Sequence, residues 1–575
     1  MQQSLSTPFG LLSFPSFRLL RVPARNSVRT PEAWRGGFAS TGVSSSVNFE
    51  SREATIDTVH HALFSGKVSC REVVSSFIAR IEAYNPKINA VVNLNAHALE
   101  YADEMDELLR MQRKPTEPLF CVPILLKDNY DTFDVKTSGS CRALKDSQPT
   151  TDAPSVKALR DVGAIILGKV NLHELALEGL SVSSYGGQTL NPYDLNRTPG
   201  GSSGGTGAAI SASFAVFGTG TDTVNSLRSP ASANSLFSVR PTRGLISRAG
   251  IIPVSYTQDT IGSIARSLKD VATALTVMAK IGYDPKDNVT ALVPPSVVGV
   301  DYTKALYGGS LEGVRFGLIE GFFNRTVGPE TTPVNKVMDS VVSKLQAAGA
   351  TVITIKEQIY NSSAIANDLD VQRFEFRELM DSYLSDESLG GSHPTSLAEL
   401  YASADYLVIP SQYSYVNTAL ISSTSNETYA AKQRGIQNLK LALQTTFKIH
   451  SLDALIYPEQ QNLVVKRGSA SQFGRNGILG ALTGSPVVTV PAGFSQPSKG
   501  APDGVPIGME ILGPPWSERK LLNIASQIGD LGQVRRMPRL VSQPVPTKEY
   551  ASVPEIVPNT EDIPKEYLIA YLGDK

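Results

Sequence analysis

Gly200-Gly201-Ser202-Ser203-Gly204-Gly205, followed after a run of small residues by Gly218-Thr219-Gly220-Thr221-Asp222-Thr223-Val224-Asn225-Ser226-Leu227-Arg228, is the stretch that decides how the chain is read. Two serines, Ser202 and Ser226, stand 24 residues apart on glycine-rich backbone, a setting that suggests nucleophilic catalysis. Upstream, Pro123-Ile124-Leu125-Leu126-Lys127-Asp128 brings in a lysine that completes a candidate triad.

A serine hydroxyl must lose its proton as it attacks a carbonyl, so a base is required. The six histidines, His60, His61, His97, His173, His393 and His450, are scattered and none adjoins the glycine-rich segments, which leaves a Ser-His-Asp reading without support. Lysine can take the role only when neutral. Lowering its pKa from about 10.4 to near 7 takes roughly 4–5 kcal/mol of selective destabilisation of the ammonium, and burial is the direct means. The apolar run from Val122 to Leu126 reads as a buried strand that delivers Lys127 to the interior. Successive side chains on a strand face opposite ways, so Asp128 is expected to point away from the amine.

These three segments, in this order and at these spacings, resemble the amidase signature family, and within it the fungal-type amidases. The resemblance implies a lysine, a serine beside a cis peptide bond and a nucleophilic serine, here Lys127, Ser202 and Ser226. It implies that Ser226 attacks an amide while Ser202 relays its proton to neutral Lys127. Water then hydrolyses the acyl-enzyme, with neither a metal nor an organic cofactor. Oxyanion and substrate contacts fall by the same resemblance to Thr223, Val224 and Asn225, with Ser203 as a further donor, while Asp222 and Arg228 read as a supporting ion pair. The commonest family pattern has two glycines where this chain has Val224 and Asn225. A β-branched valine tolerates positive φ poorly, so the turn is expected to adopt a conformation compatible with valine.

Resemblance continues through Thr151-Asp152-Ala153-Pro154, Arg240-Pro241-Thr242-Arg243-Gly244 and Leu482-Thr483-Gly484-Ser485-Pro486, covering about residues 69–529. A phosphate-cradling reading of the glycines fails because the Gly-Lys-Ser/Thr pattern and a dinucleotide fingerprint are both missing. The expected fold is α/β, of the amidase-signature type, with a large mixed, largely parallel β-sheet flanked by helices. Val73, Val74, Phe77, Ile78 and Ile81 recur at helical spacing, and Ala164 to Leu167 reads as a buried strand. Strand-like Val314–Ile319, a helix over about Val334–Ala348 and strand-like Thr351–Ile355 predict a parallel βαβ unit.

Across 575 residues, 53 basic side chains nearly balance 54 acidic ones, which leaves no broad nucleic-acid footprint. No apolar stretch is long enough to span a bilayer. Residues 1–50 read as a leader, with Arg18, Arg21, Arg25, Arg29 and Arg35 fitting a mitochondrial transit segment and Pro8, Pro15, Pro23 and Pro31 fitting a disordered one, while a secretory signal fits less well because a sustained apolar core is missing. An amidase domain is expected over 51–540 and a C-terminal tail over 541–575. Cys70, Cys121 and Cys141 are odd in number and lack Cys-x-x-Cys spacing, which predicts neither a disulfide framework nor a zinc site and fits a cytoplasmic or mitochondrial location. Cys121 reads as a small buried hydrophobe. Sequons at Asn196, Asn288, Asn324, Asn361 and Asn426 matter only in a secreted chain, and a chain of this length gains some by chance.

The reading is an amide hydrolase acting on a small-molecule amide. Its alternatives are the glutaminase component of a tRNA-dependent amidotransferase and a catalytically silent binding module. Segments 284–307 and 367–429 are expected to line the substrate pocket, with Tyr383, Tyr401, Tyr406, Tyr413 and Tyr415 as aromatic candidates. Neither the particular amide nor the oligomeric state is legible.

Overall fold

The computed structural model describes residues 49–111, 115, 117–567 and 572. The leader therefore falls almost wholly outside the described residues. Eleven strands form one sheet. In chain order they are β1 (Val91–Leu94), β2 (Val122–Lys127), β3 (Ala164–Val170), β4 (Phe217–Asp222), β5 (Phe237–Arg240), β6 (Thr260–Ala265), β7 (Arg315–Ile319), β8 (Thr351–Ile355), β9 (Ala454–Pro458), β10 (Val487–Phe494) and β11 (Pro506–Leu512). Their spatial order is β1-β3-β2-β4-β6-β5-β10-β11-β9-β7-β8.

The expected βαβ unit is present: β7 and β8 pair in parallel through the helix Thr332–Ala347, whose Met338, Val341 and Leu345 are buried. β2 also lies parallel to both β3 and β4. The sheet is nonetheless more antiparallel than expected. Parallel pairing joins only β2–β3, β2–β4, β7–β8 and β7–β9, whereas the other six neighbouring pairs are antiparallel. Parallel strands need a long crossover, usually a helix. The segment between β10 and β11 is short and carries no helix, so the chain returns antiparallel.

Helix Cys70–Ile88 covers the β2 end of the sheet. Ser69 and Glu72 form a reciprocal capping box at its start, and Asn89 ends it in the left-handed conformation. At its first residue the structure corrects the cysteine reading: Cys70 and Cys121 form a disulfide across 51 residues of sequence. The helix start sits over the turn that opens β2, a proximity that spacing along the chain does not reveal. Cys141 is free and buried.

The segment after Arg535 runs as a strap. Buried Arg80 donates to the carbonyls of Val541 and Gln543, and Tyr550 donates to Glu82. Farther along, Asn89 donates to the Asn559 carbonyl at 2.9 Å and accepts the Asn559 N–H at 3.0 Å. Tyr567 is fully buried among Leu180, Val182, Leu407, Ile409 and Val465.

Gly168 shows how tightly the β1 edge is fitted. It lies opposite Leu94, and a Cβ there would come within 2.1 Å of the Asn93 carbonyl oxygen. Gly168→Ala should force that edge apart and destabilise the fold by about 1–3 kcal/mol, seen as a lower urea midpoint; an unchanged midpoint would show that the edge accommodates a side chain freely.

Candidate active site

Lys127 is the last residue of β2, and every residue of that strand is buried. Beyond Leu125 the strand pairs no further with β4, and the Lys127 N–H instead donates to Thr219 Oγ1 at 3.2 Å. The opening admits the lysine side chain between the strands. Its Nζ lies 2.7 Å from Ser202 Oγ and 2.8 Å from Thr221 Oγ1. Thr219 and Thr221 share one face of β4 by the alternation of a strand. Gly218 and Gly220 alternate with them on the other face, where a Cβ would collide with Thr206 and Ser203.

Among the described residues, no carboxylate contacts the amine. Burial therefore dominates and pushes the Lys127 pKa down to about 7, against the weaker pull of Asp222 and Asp259. Asp128 does point away, as alternation predicts: it accepts from the Ser138 hydroxyl and the Ser140 N–H and lies 3.9 Å from Lys169.

Ser202 follows a cis Gly201–Ser202 peptide bond and sits just ahead of the helix Gly204–Ser211. Its carbonyl accepts from the His173 N–H at 3.1 Å. The Ser203 N–H reaches the Ser226 carbonyl at 3.4 Å and its hydroxyl donates to the Thr221 carbonyl at 3.2 Å, linking the two serine segments.

Beyond Ser203, the turn Thr223-Val224-Asn225-Ser226 is held from behind. Thr223 Oγ1 donates to Asp259 at 2.7 Å, and Asn225 Nδ2 donates to Glu459 at 2.9 Å. Neither Val224 nor Asn225 has a left-handed φ, so valine fits without strain. Gly477 packs so close that a Cβ would fall 2.4 Å from the Val224 carbonyl oxygen. Among the described residues, the backbone N–H groups of Thr223, Val224, Asn225 and Ser226 donate to no protein acceptor. Val224 is half-buried and Thr223, Val224 and Ser226 line a cavity, so the turn has backbone donors to offer a group bound there.

Asp222 and Arg228 lie beneath the turn in a wholly buried network. Asp222 accepts from Arg228 Nε and Nη2 at 3.0 Å each, from Arg240 at 2.6 Å and from the Leu227 N–H at 3.0 Å. Arg228 also donates to Glu510 at 2.8 Å and to the Val224 carbonyl. Burial works to raise the Asp222 pKa, but the two guanidiniums overcome it and hold the carboxyl far below its usual range. Burial together with nearby Glu510 raises the Glu459 carboxyl above its usual range.

Ser226 is 7% exposed and lines a cavity of roughly 400 Å³. Residues Asn367, Asp370, Gln412 and Tyr415 come from the segment expected to line it. Segment 284–307 does not reach this cavity. Its Lys286, Asp287 and Asn288 line a second one of roughly 190 Å³, which meets the site at Thr221, Thr223 and Asp259. Of the other candidate tyrosines, Tyr383 donates to Asp131, and Tyr401 packs edge-on against Tyr406.

Five contributors lie outside the residues that the sequence marks. Thr221 carries a usable signal in the Gly-Thr-Gly-Thr alternation. Glu178, Gln472 and Arg475 line the cavity, with Arg475 Nη1 3.3 Å from Glu178, and nothing local distinguishes them. His173 likewise adjoins Ser202 only in space. Burial pushes it down to about 4, so it is neutral near neutral pH. Among the described residues, no group of His, Cys, Asp or Glu has the arrangement to hold a metal ion.

This constellation, a buried amine near neutrality bonded to one serine beside a second serine that opens onto a cavity, all on an α/β sheet, defines a class of serine-dependent amide hydrolases. The amidase family profile matches residues 72–522, and the chain belongs to that family, whose enzymes hydrolyse carbon–nitrogen bonds in amides. Among curated relatives, the A-type component of the glutamyl-tRNA(Gln) amidotransferase of Geotalea daltonii is 31% identical over 82% of this chain and 96% of its own. Its Deinococcus radiodurans counterpart is 30% identical over the same shares. Among solved structures, the native peptide amidase of Stenotrophomonas maltophilia is 31% identical with a TM-score of 0.74, covering 85% of this chain and 99% of its own. No helix among the described residues is long and apolar enough to cross a membrane.

Substituting Asp222→Asn should leave the buried Arg228 and Arg240 guanidiniums under-compensated. The expected loss is about 3–5 kcal/mol of folding stability by chemical denaturation; a loss below about 1 kcal/mol would mean that Glu510 balances both arginines alone.

Proposed function

We propose that Ser226 is the nucleophile, with Ser202 and Lys127 as its proton relay. The observation that carries this reading is the Lys127–Ser202 bond of 2.7 Å, made by an amine whose burial keeps it near neutrality. Ser226 Oγ attacks the amide carbonyl, its proton passes to Ser202, and the Ser202 proton passes to Lys127 Nζ. The same chain, run backwards, protonates the departing amine. Water attacks the resulting ester, and the carboxylic acid leaves. The unpaired N–H groups of Val224, Asn225 and Ser226 are suited to receive the developing oxyanion, and placing them costs no reorganisation during the reaction.

A second reading is glutamine hydrolysis in service of a tRNA amidotransferase, acting inside the cell with partner proteins. The amidotransferase relatives favour it. Both readings share the acyl-enzyme and differ in what accepts the ammonia. Turnover of a peptide amide panel against glutamine, with and without a charged-tRNA acceptor and the partner proteins, separates them.

Treatment with a fluorophosphonate should label Ser226 alone, and Ser226→Ala should lose about 10⁴-fold or more in turnover with the fold intact. Near-wild-type turnover in that variant would remove Ser226 from the role.

The acid limb of the pH profile tests the base. Lys127 accepts a proton only in its neutral form, which prevails above its folded pKa of about 7. Acylation should therefore fall about tenfold per pH unit below that value. A rate that stays flat from pH 8 down to about pH 5 would exclude the lysine.

A further inference from the structure

Asparagines of this chain differ in how their side-chain amides are engaged. Asn85, Asn89, Asn171, Asn234 and Asn476 are buried, and each donates through Nδ2 to a carbonyl. None of these stands in an Asn-x-Ser/Thr sequon. The five sequon asparagines behave in the opposite way: Asn196, Asn288, Asn361 and Asn426 are exposed and Asn324 is half-buried.

Their two amide atoms are also used differently. Asn361 caps the helix Ser362–Leu369 through Oδ1, which accepts the Ala364 N–H at 2.9 Å. Asn426 does the same for the helix Glu427–Ile449, accepting the Thr428 N–H at 2.8 Å. In both, Nδ2 donates no hydrogen bond among the described residues. The oxygen holds the local fold while the nitrogen faces water, so a substituent on Nδ2 would disturb no contact. Asn288 offers the same freedom at the exposed start of the short helix Asn288–Leu292. Asn324 and Asn196 are less open. Asn324 Oδ1 accepts the Thr326 N–H at 3.0 Å, and the Asn196 amide lies beside the Gly500 loop.

A second observation points the same way. Disulfides such as Cys70–Cys121 form and persist in oxidising compartments and are rare in the cytosol. Sequons acquire meaning in those same secreted proteins. The two features rest on unrelated residues, yet they imply one environment.

We propose that this chain matures in the oxidising lumen of a secretory pathway and carries N-linked glycans on Asn288, Asn361 and Asn426. The donor is a lipid-diphosphate-linked oligosaccharide. Asn Nδ2 forms the bond to the sugar C1, the C1–O bond to diphosphate breaks, the lipid diphosphate leaves with the electron pair, and one Nδ2 proton is lost to the transferase. The glycan on Asn361 stands beside Ser362 and Ser363, two walls of the Ser226 cavity, while that on Asn288 stands at the second cavity. Bulky substrates therefore approach past sugar. None of this depends on which serine is the nucleophile, but a luminal chain is separated from aminoacyl-tRNA, which sets it against the glutaminase reading.

The test expresses the full chain with its own N-terminus in eukaryotic cells. The purified protein is alkylated without reductant, deglycosylated by peptide:N-glycanase in heavy-oxygen water, and mapped by mass spectrometry. Heavy-labelled aspartate at positions 288, 361 and 426, a linked Cys70–Cys121 peptide and alkylation confined to Cys141 are expected. Thr428→Ala, which keeps the capping Asn426 but removes its sequon, should lose the label at position 426 alone. Unlabelled asparagine at all three positions, or Cys70 and Cys121 recovered as alkylated thiols, would overturn the proposal.

Discussion

Lys127 is an amine taken out of water and given only hydroxyl partners, and much of the surrounding architecture exists to keep it that way. A carboxylate within contact distance would restore the ammonium and end its capacity to accept a proton. The fold keeps the nearest acids otherwise engaged. Asp128 is turned to the opposite face, against Lys169, Ser138 and Ser140. Asp222 is nearer in effect but directs its charge at Arg228 and Arg240. Glu510 balances the surplus of positive charge beneath the turn, while Glu459, raised by burial, holds Asn225. The ion network and the neutral lysine are thus two parts of one electrostatic arrangement.

Close backbone approach is the second requirement. Ser202 and Ser226 belong to segments that meet only because glycines let helix Gly204–Ser211 settle against its neighbours. A Cβ on Gly205 would come within 2.2 Å of the Asn171 carbonyl oxygen, and one on Gly207 within 2.7 Å of Asn234 Nδ2. Glycine-rich sequence here is a packing requirement, rather than the signature of a flexible loop. On the other side of the turn, Gly477 plays the same part against Val224.

Much of this is legible from residue patterns. The apolar run before Lys127 sits on β2, the βαβ unit at β7 and β8 is present, and strand alternation places Asp128 on the far face. What stays hidden has a common cause: it depends on contacts between distant segments that leave no local period. Cys70 and Cys121 are brought together by the docking of a helix on a strand. Residues 471–478 complete the cavity wall from the far side of the sequence. His173 reaches Ser202 through its backbone, so its side chain gives no hint. The excess of antiparallel pairing runs in space from β4 through β6, β5 and β10 to β11, where the connections from β5 to β6 and from β10 to β11 carry no helix and where apolar runs alone do not reveal direction.

The strap has a consequence for how the molecule comes into being. Asn89 is bonded to Asn559, 470 positions later, and Arg80 to Val541, 461 positions later, so contacts that settle helix Cys70–Ile88 against the sheet are supplied long after the helix itself is made. Until the strap emerges from the ribosome, Arg80 and Asn89 lack partners that the finished molecule buries. The polypeptide must wait, incompletely closed, while all eleven strands of the sheet are synthesised. An ordering of events in which the late chain returns to the early one makes the stretch after Arg535 a completion signal as well as a surface wrap.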